Sequence, residues 1–315
     1  MQILSAADVH RALPMSECVE VMAAALRARA EGLVEQPLRK VFTPSATNAF
    51  GVWMPAYRGG EHAIFGTKLL CIVPDNPGRG MDTHQGAVIL FDGVTGEPLA
   101  FLNASAITEI RTAAVSALAT RLLARENAET LAIIGAGVQA EAHLRAIPLV
   151  RDIKEARVFS PRSAPALVER MDVAFDLKAV GSAEQAVRDA DIVVTVTTSK
   201  EPVVQRDWLS PGTHVNAVGA STVHHQEVDT RTAKAAELYV DAMQSVQGEA
   251  KEFQIDPPDV RGELGDLLIG KATGRSGPDA ITMFRSLGIA TEDLYAADHV
   301  LRRAAELGVG VDVPL

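Results

Sequence analysis

The sequence predicts an α/β protein: a doubly wound, Rossmann-type parallel sheet, preceded by a smaller α+β domain. Three observations carry this. The chain has 315 residues, more than one hydrophobic core usually serves, so two domains are expected. From about residue 130 onward, near-continuous apolar segments alternate with helical ones, the pattern of parallel strands joined by crossover helices. Between residues 38 and 102 the apolar segments are instead separated by Gly, Pro, Asn and Asp clusters, as in an antiparallel sheet.

Residues 5–33 read as amphipathic helix, with Val19, Met22, Ala23, Leu26 and Ala30 on one stripe. Strands are expected at 39–42, 50–54, 64–73, 87–91 and 99–102, with a turn at Asp92-Gly93-Val94-Thr95-Gly96 and a loop over 74–82. An Ala-rich helix over 105–125 leads into the second domain. Strands there are expected at 130–135, 156–160, 177–180, 191–197, 213–218 and 237–242. Helices fall at 138–150, 164–171, 183–189, 227–234 and 262–270. After an apolar segment at 281–287, a last helix over 291–307 is expected to return to the first domain. No internal repeat or low-complexity segment interrupts this order.

Composition narrows the function classes. A hydrophobic fraction of 47% and a charged fraction of 22% belong to a globular enzyme rather than a disordered chain. The net charge is −10 and no basic run is present, so nothing offers a nucleic acid the cationic face it needs. No apolar stretch is long enough to span a bilayer, and no basic segment followed by an apolar one opens the chain, so a cytoplasmic protein with no membrane partner is expected. Cys18 and Cys71 match no metal-ligand spacing; both are expected as buried free thiols, with no metal site.

The segment Leu131-Ala132-Ile133-Ile134 runs directly into Gly135-Ala136-Gly137-Val138-Gln139-Ala140. This is G-x-G-x-x-A between a strand and a helix, the context that gives the motif meaning. Gly135 permits the tight turn, Gly137 lets a pyrophosphate approach the backbone, and Ala140 allows close packing of helix on strand. The phosphates then meet free N–H groups at the helix start. A ligand-free glycine turn, or a flavin, also satisfies the pattern. The second strand ends Val158-Phe159-Ser160-Pro161-Arg162-Ser163. Ser160 stands where an acidic residue would hold the ribose 2′-hydroxyl of NAD(H), and Arg162 has the fork geometry for a 2′-phosphate. NADP(H) is therefore the expected preference, with NAD(H) the alternative; an ordinary surface Arg is the plain reading of Arg162.

Three cations lie in apolar or special contexts: Arg39, Lys68 and Arg111. Charge-assisted donors of this kind hold a carboxylate, and a Lys in an apolar strand is open to a depressed pKa. Each also reads as a solvated or snorkelling side chain. His84 precedes a strand, and His224 and His225 are expected to open a helix; exposed histidines and a proton shuttle are both consistent with that.

Together these residues resemble the ornithine cyclodeaminase/mu-crystallin family over about residues 30–310. The matching stretches include Gly66-Thr67-Lys68, His84-Gln85-Gly86, Thr95-Gly96-Glu97-Pro98-Leu99-Ala100, Thr108-Glu109-Ile110-Arg111-Thr112-Ala113-Ala114 and the Gly135 loop. Asn216-Ala217-Val218-Gly219-Ala220, Glu263-Leu264-Gly265-Asp266 and Ser286-Leu287-Gly288 extend the likeness. The resemblance implies a homodimer. It also implies a substrate-binding and dimerisation domain (1–115 with 289–315) and a dinucleotide-binding domain (116–288). It assigns the carboxylate of a small imino- or amino-acid substrate to Arg39, Lys68 and Arg111. It places Thr112, Ser199 and Val218 against the cofactor and Thr195, Val196 and Thr197 along its adenosine or ribose side, beside the Gly135–Gln139 loop with Val138 and the Ser160, Arg162 and Ser163 already expected to bind it.

One departure separates members of the family. Cyclodeaminases carry an Asp where this chain has Ser221, in Val218-Gly219-Ala220-Ser221. A serine hydroxyl has no useful pKa near neutrality for handling a departing amine, and the Ala-Ser pair is similar to mu-crystallin and its ketimine-reductase relatives. The expected activity is an NAD(P)H-dependent reductase of a small cyclic or acyclic 2-imino acid, with Ser221 counted among the catalytic residues. The alternatives are an ornithine or lysine cyclodeaminase, an alanine-type dehydrogenase, or a non-catalytic binder.

Overall fold

The computed structural model describes residues 1–314, Pro77 by its backbone alone. In chain order the first elements are β1 (Gln2–Leu4), α1 (Ala6–Ala12), α2 (Met15–Ala30), β2 (Val34–Glu35), β3 (Lys40–Phe42), β4 (Phe50–Arg58), β5 (Ile64–Ile72), β6 (His84–Asp92), β7 (Pro98–Asn103) and α3 (Ala104–Leu123). Then come β8 (Thr130–Ile134), α4 (Val138–Ala146), β9 (Glu155–Phe159), α5 (Ala164–Arg170), β10 (Asp176–Ala179), α6 (Ala183–Val187), β11 (Ile192–Thr195) and β12 (His214–Ala217). The remainder is α7 (Thr230–Ala235), β13 (Glu237–Val240), α8 (Met243–Glu249), α9 (Lys251–Ile255), β14 (Val260–Glu263), α10 (Leu264–Leu268), β15 (Thr282–Arg285), α11 (Ala290–Leu307) and β16 (Val311–Asp312). The chain divides into two compact units, Met1–Arg111 with Ile289–Leu315, and Thr112–Gly288.

The first unit is built on the sheet β16-β1-β7-β6-β5-β4-β2, with β3 paired to β4. Its centre, β4 to β7, is antiparallel. The sheet as a whole is mixed rather than purely antiparallel, because β1 lies parallel to β7. The helical region 5–33 holds two helices: Pro14 supplies no N–H and disfavours helical backbone in the residue before it, so α1 is capped at Leu13 and α2 starts afresh. Helix α11 packs against β4, β5 and β6. At Gly66 a Cβ would come within 2.5 Å of Leu294 Cδ1, so a larger residue there would make the Leu294 side chain shift.

The second unit holds an eight-stranded, wholly parallel sheet, β10-β9-β8-β11-β12-β15-β13-β14. The doubly wound α/β class expected from the sequence is the class observed. Strand order reverses between β8 and β11, the switch point outside which such sheets bind dinucleotides. Two local expectations need correction. Residues 260–263 form β14, so α10 begins only at Leu264, behind a capping box of Glu263 and Asp266. Helix α7 begins at Thr230, with Asp229 accepting from the N–H of Thr232, so His224 and His225 lie in a turn and open no helix. The late apolar segment becomes β15, inserted between β12 and β13.

Candidate active site and dinucleotide loop

Alternation along β5 sends Ile64, Gly66, Lys68 and Leu70 to the covered face of the sheet. Lys68 is 2% exposed, and an ammonium that deep requires a partner. Asp293 Oδ2 lies 2.6 Å from its Nζ. Arg111, on α3, donates through Nε to Asp293 Oδ1 at 3.1 Å and through Nη1 to Glu292 Oε2 at 2.8 Å. Both carboxylates are buried in the first turn of α11, where the helix end favours negative charge. The result is a buried cluster in which two cations share one carboxylate.

The electrostatics follow from that packing. Burial pulls the Lys68 ammonium down to about 8, Asp293 resisting and Arg111 and Arg39 adding to the fall. Burial pushes the Asp293 carboxyl up, but Lys68 and Arg111 together outweigh it and hold it below its ordinary range. Arg39 is half-buried in the loop before β3, close enough for its charge to act on Lys68. Desolvation, then Lys68 and Arg111, lower the His84 imidazole. Cys18 is buried beside the cluster, and burial pushes its thiol up, Arg111 opposing and Glu292 adding. Cys71 corrects an expectation, since it is exposed on the opposite face of β5.

In the second unit, β8 delivers Gly135 at φ +122°, where a Cβ would stand 2.6 Å from the Val196 carbonyl oxygen. No side chain caps the start of α4 at Gly137, and a Cβ there would meet nothing within 4 Å. Ala140 is fully buried, while Val138 is exposed and Gln139 half-buried. A tight turn, open space over Gly137 and an uncapped helix start together fit a pyrophosphate. Beyond β9, Ser160 Oγ and Ser163 Oγ are 2.9 Å apart and Arg162 is exposed. Thr195 ends β11 in the core; Val196, Thr197 and Ser199 follow, half-buried, with the Ser199 N–H donating to Thr197 Oγ1 at 3.2 Å. Val218 is buried just after β12, and Ser221 is half-buried. Thr112 is buried on α3, its Oγ1 without a hydrogen-bond partner. His225 Nδ1 lies 2.9 Å from Thr222 Oγ1.

Three functional candidates escaped the sequence reading: Glu292, Asp293 and Glu227. A signal existed for Asp293. It falls on the stripe of Ala297, Val300 and Ala304, all buried, where an acid on an apolar helical face implies a buried cation opposite it.

The glycine loop, its place after the first strand of the doubly wound sheet and the reversal of strand order beside it define a Rossmann-type dinucleotide-binding protein. More narrowly, the chain belongs to the ornithine cyclodeaminase/mu-crystallin family, whose model matches residues 1–307. Ketimine reductase mu-crystallin of Mus musculus is 36% identical over 270 residues, covering 86% of this chain and 85% of the mouse protein. The structure of Thermococcus litoralis Delta(1)-pyrroline-2-carboxylate reductase in complex with NADH and L-proline matches with a TM-score of 0.95 at 33% identity, covering 99% of this chain and 100% of that one. An archaeal alanine dehydrogenase dimer with bound NAD matches with a TM-score of 0.93 at 31% identity, covering 100% and 99%.

Proposed function

We propose that this chain is an NAD(P)H-dependent reductase of small cyclic or acyclic 2-imino acids, yielding the L-amino acid. The observation that carries it is the buried pair Lys68 and Arg111, held by Asp293 and Glu292. Fixed cations of this kind recognise a small carboxylate without reorganising. The mouse ketimine reductase and the archaeal pyrroline-2-carboxylate reductase support the imine, as does Ser221 in place of an acid.

A bound reduced nicotinamide supplies the hydride, delivered to the C=N carbon. The chain's own residues supply charge and position. Arg111 offers its planar fork to the substrate carboxylate, with Arg39 adding positive charge. Lys68, protonated for the most part at neutral pH with its value near 8, gives a proton from Nζ to the imine nitrogen, making the iminium that accepts hydride better. Thr112, Thr195 to Thr197, Ser199 and Val218 position the coenzyme. A panel of 2-imino acids, including Δ1-pyrroline-2-carboxylate, run with NADPH and with NADH, tests the reading. Stoichiometric coenzyme oxidation is expected; ammonia release from ornithine without net coenzyme use would overturn it.

Two finer readings accompany it. NADP(H) is favoured over NAD(H), on Ser160 and the exposed Arg162; Arg162→Ala with Ser160→Asp is expected to reverse the kcat/KM ratio, and an unchanged ratio rejects the assignment. The enzyme is a homodimer built on the outer face of the first sheet, where Ile3, Trp53, Phe65, Leu69 and Phe101 are exposed and Tyr57 stacks on Phe65 with ring centroids 4.5 Å apart. A continuous apolar face of this kind marks an interface. Leu69→Glu is expected to yield monomers by light scattering, and a wild-type chain of monomer mass rejects the dimer.

A further inference from the structure

Glu227 is a buried acid with no part in the chemistry above. It sits just before the short bridge Val204↔Val228, and its own carbonyl accepts from the N–H groups of Val203 and Val204, so its backbone is fixed. Its carboxylate reaches two separate loops. Oε1 accepts from the N–H of Thr197 at 2.5 Å; Oε2 accepts from Gly219 at 2.6 Å and Ala220 at 3.0 Å. Three backbone donors on two oxygens use the carboxyl as an acceptor throughout, which the ionised group does best. Burial pushes the Glu227 carboxyl above its ordinary range, the Thr197 N–H and the charge of Arg285 opposing the rise. Arg285 is itself held by Glu252, Nε to Oε1 at 2.6 Å.

The two loops follow β11 and β12, at the carboxyl ends of the strands beside the switch point. They approach so closely that a Cβ on Gly219 would lie 2.2 Å from the Thr197 carbonyl oxygen and 2.7 Å from Glu227 Oε1. The one Glu227 carboxylate bonds to both.

We propose that Glu227 is a positioning residue for the coenzyme, tying the 196–199 and 218–221 loops into one platform. The proposal rests on the assignment of those loops to coenzyme binding. Glu227→Gln keeps the size but turns one acceptor into a donor facing a donor. Coenzyme affinity should fall roughly tenfold, the loss of one charge-assisted bond. The KM for the imino acid at saturating coenzyme should stay within about twofold, because the carboxylate-binding residues lie on other elements.

The experiment measures NADPH and NADH affinity by fluorescence for wild type and Glu227→Gln, with thermal midpoints and both KM values. Failure of the wild type to bind either nucleotide removes the coenzyme assignment itself. Equal affinity in both proteins, or a parallel worsening of both KM values with the thermal midpoint, overturns the positioning role. Amide hydrogen exchange on the wild-type apoprotein needs no variant. The N–H groups of Thr197, Gly219 and Ala220 should be protected together, and free exchange at these three amides would overturn the proposal even if the variant did not fold.

Discussion

Replacing Asp293 with Asn removes the carboxylate shared by Lys68 and Arg111 while keeping its shape. At 2.6 Å, and with an effective dielectric of about 20, the attraction between Asp293 and Lys68 is on the order of 6 kcal/mol before solvation costs. That is several times the ~1.4 kcal/mol that moves a titration by one pH unit. The sign is fixed by the chemistry: losing a negative neighbour favours the neutral amine, so the value near 8 at Lys68 must fall. If the ammonium is the working form, kcat/KM for the imino acid in the wild type declines above about pH 8, and in Asp293→Asn that decline begins at lower pH. Breaking a buried ion pair costs about 3–5 kcal/mol, so circular dichroism must first show the variant folded. Lys68→Met provides the control, since the limb should vanish along with most activity. A basic limb at the same pH in wild type and Asp293→Asn would refute the reasoning, for the titrating group would then not be Lys68.

Other perturbations follow from the same coordinates. Gly135→Ala places a Cβ against the Val196 carbonyl at a positive φ, and should cost at least ~1–3 kcal/mol in denaturant unfolding along with coenzyme binding. Gly137→Ala meets open space; its stability should stay within about 0.5 kcal/mol, with only coenzyme affinity lost. Arg111→Lys cannot span Glu292 and Asp293 together, so kcat/KM should fall roughly a hundredfold, and activity close to wild type would contradict the proposed role of the guanidinium. Burial holds His143 down to about 4 and His214 down to about 3. Both stay neutral in the folded chain while the unfolded chain takes up protons near 6.5, so stability falls as pH drops from about 6.5 through 4. The His143 contribution is on the order of 3 kcal/mol, and His143→Gln should flatten the dependence of the thermal midpoint on pH over that window.

Local signals reached far in this chain where they were strong. The glycine loop announced its own strand and helix, and Gly135, Gly137 and Ala140 stand in the three environments their spacing implies. Lys68 could be singled out because a charge in Phe65-Gly66-Thr67-Lys68-Leu69-Leu70 breaks an apolar run. Its partner showed only through periodicity: Asp293 shares the buried stripe of Ala297, Val300 and Ala304, whereas Thr291-Glu292-Asp293 taken alone looks like the acidic first turn of any surface helix. The short strands β1, β2 and β16 were likewise invisible. Two or three residues carry no periodicity, and β1 exists because β7 offers it a parallel edge. Glu227 left no trace at all, since its three partners are backbone groups and backbone groups have no letter in the sequence.

The first unit also ties the proposed substrate site to folding. Lys68 and Arg111 sit on β5 and α3, while both neutralising carboxylates arrive on α11, the last helix of the chain. Until α11 docks, β5 and α3 carry two cations that cannot be buried without great cost. Gly66 leaves room for Leu294 as it docks, and Leu294, fully buried, contributes ~1.5–3 kcal/mol of apolar burial to hold it. The same step that closes the hydrophobic core therefore assembles the charge cluster. A side chain at position 66 should weaken both together: Gly66→Val is expected to lower the unfolding midpoint and imino-acid affinity in parallel, with the coenzyme affinity of the second unit unchanged. Loss of coenzyme binding to the same extent would show that the two units do not keep their functions apart.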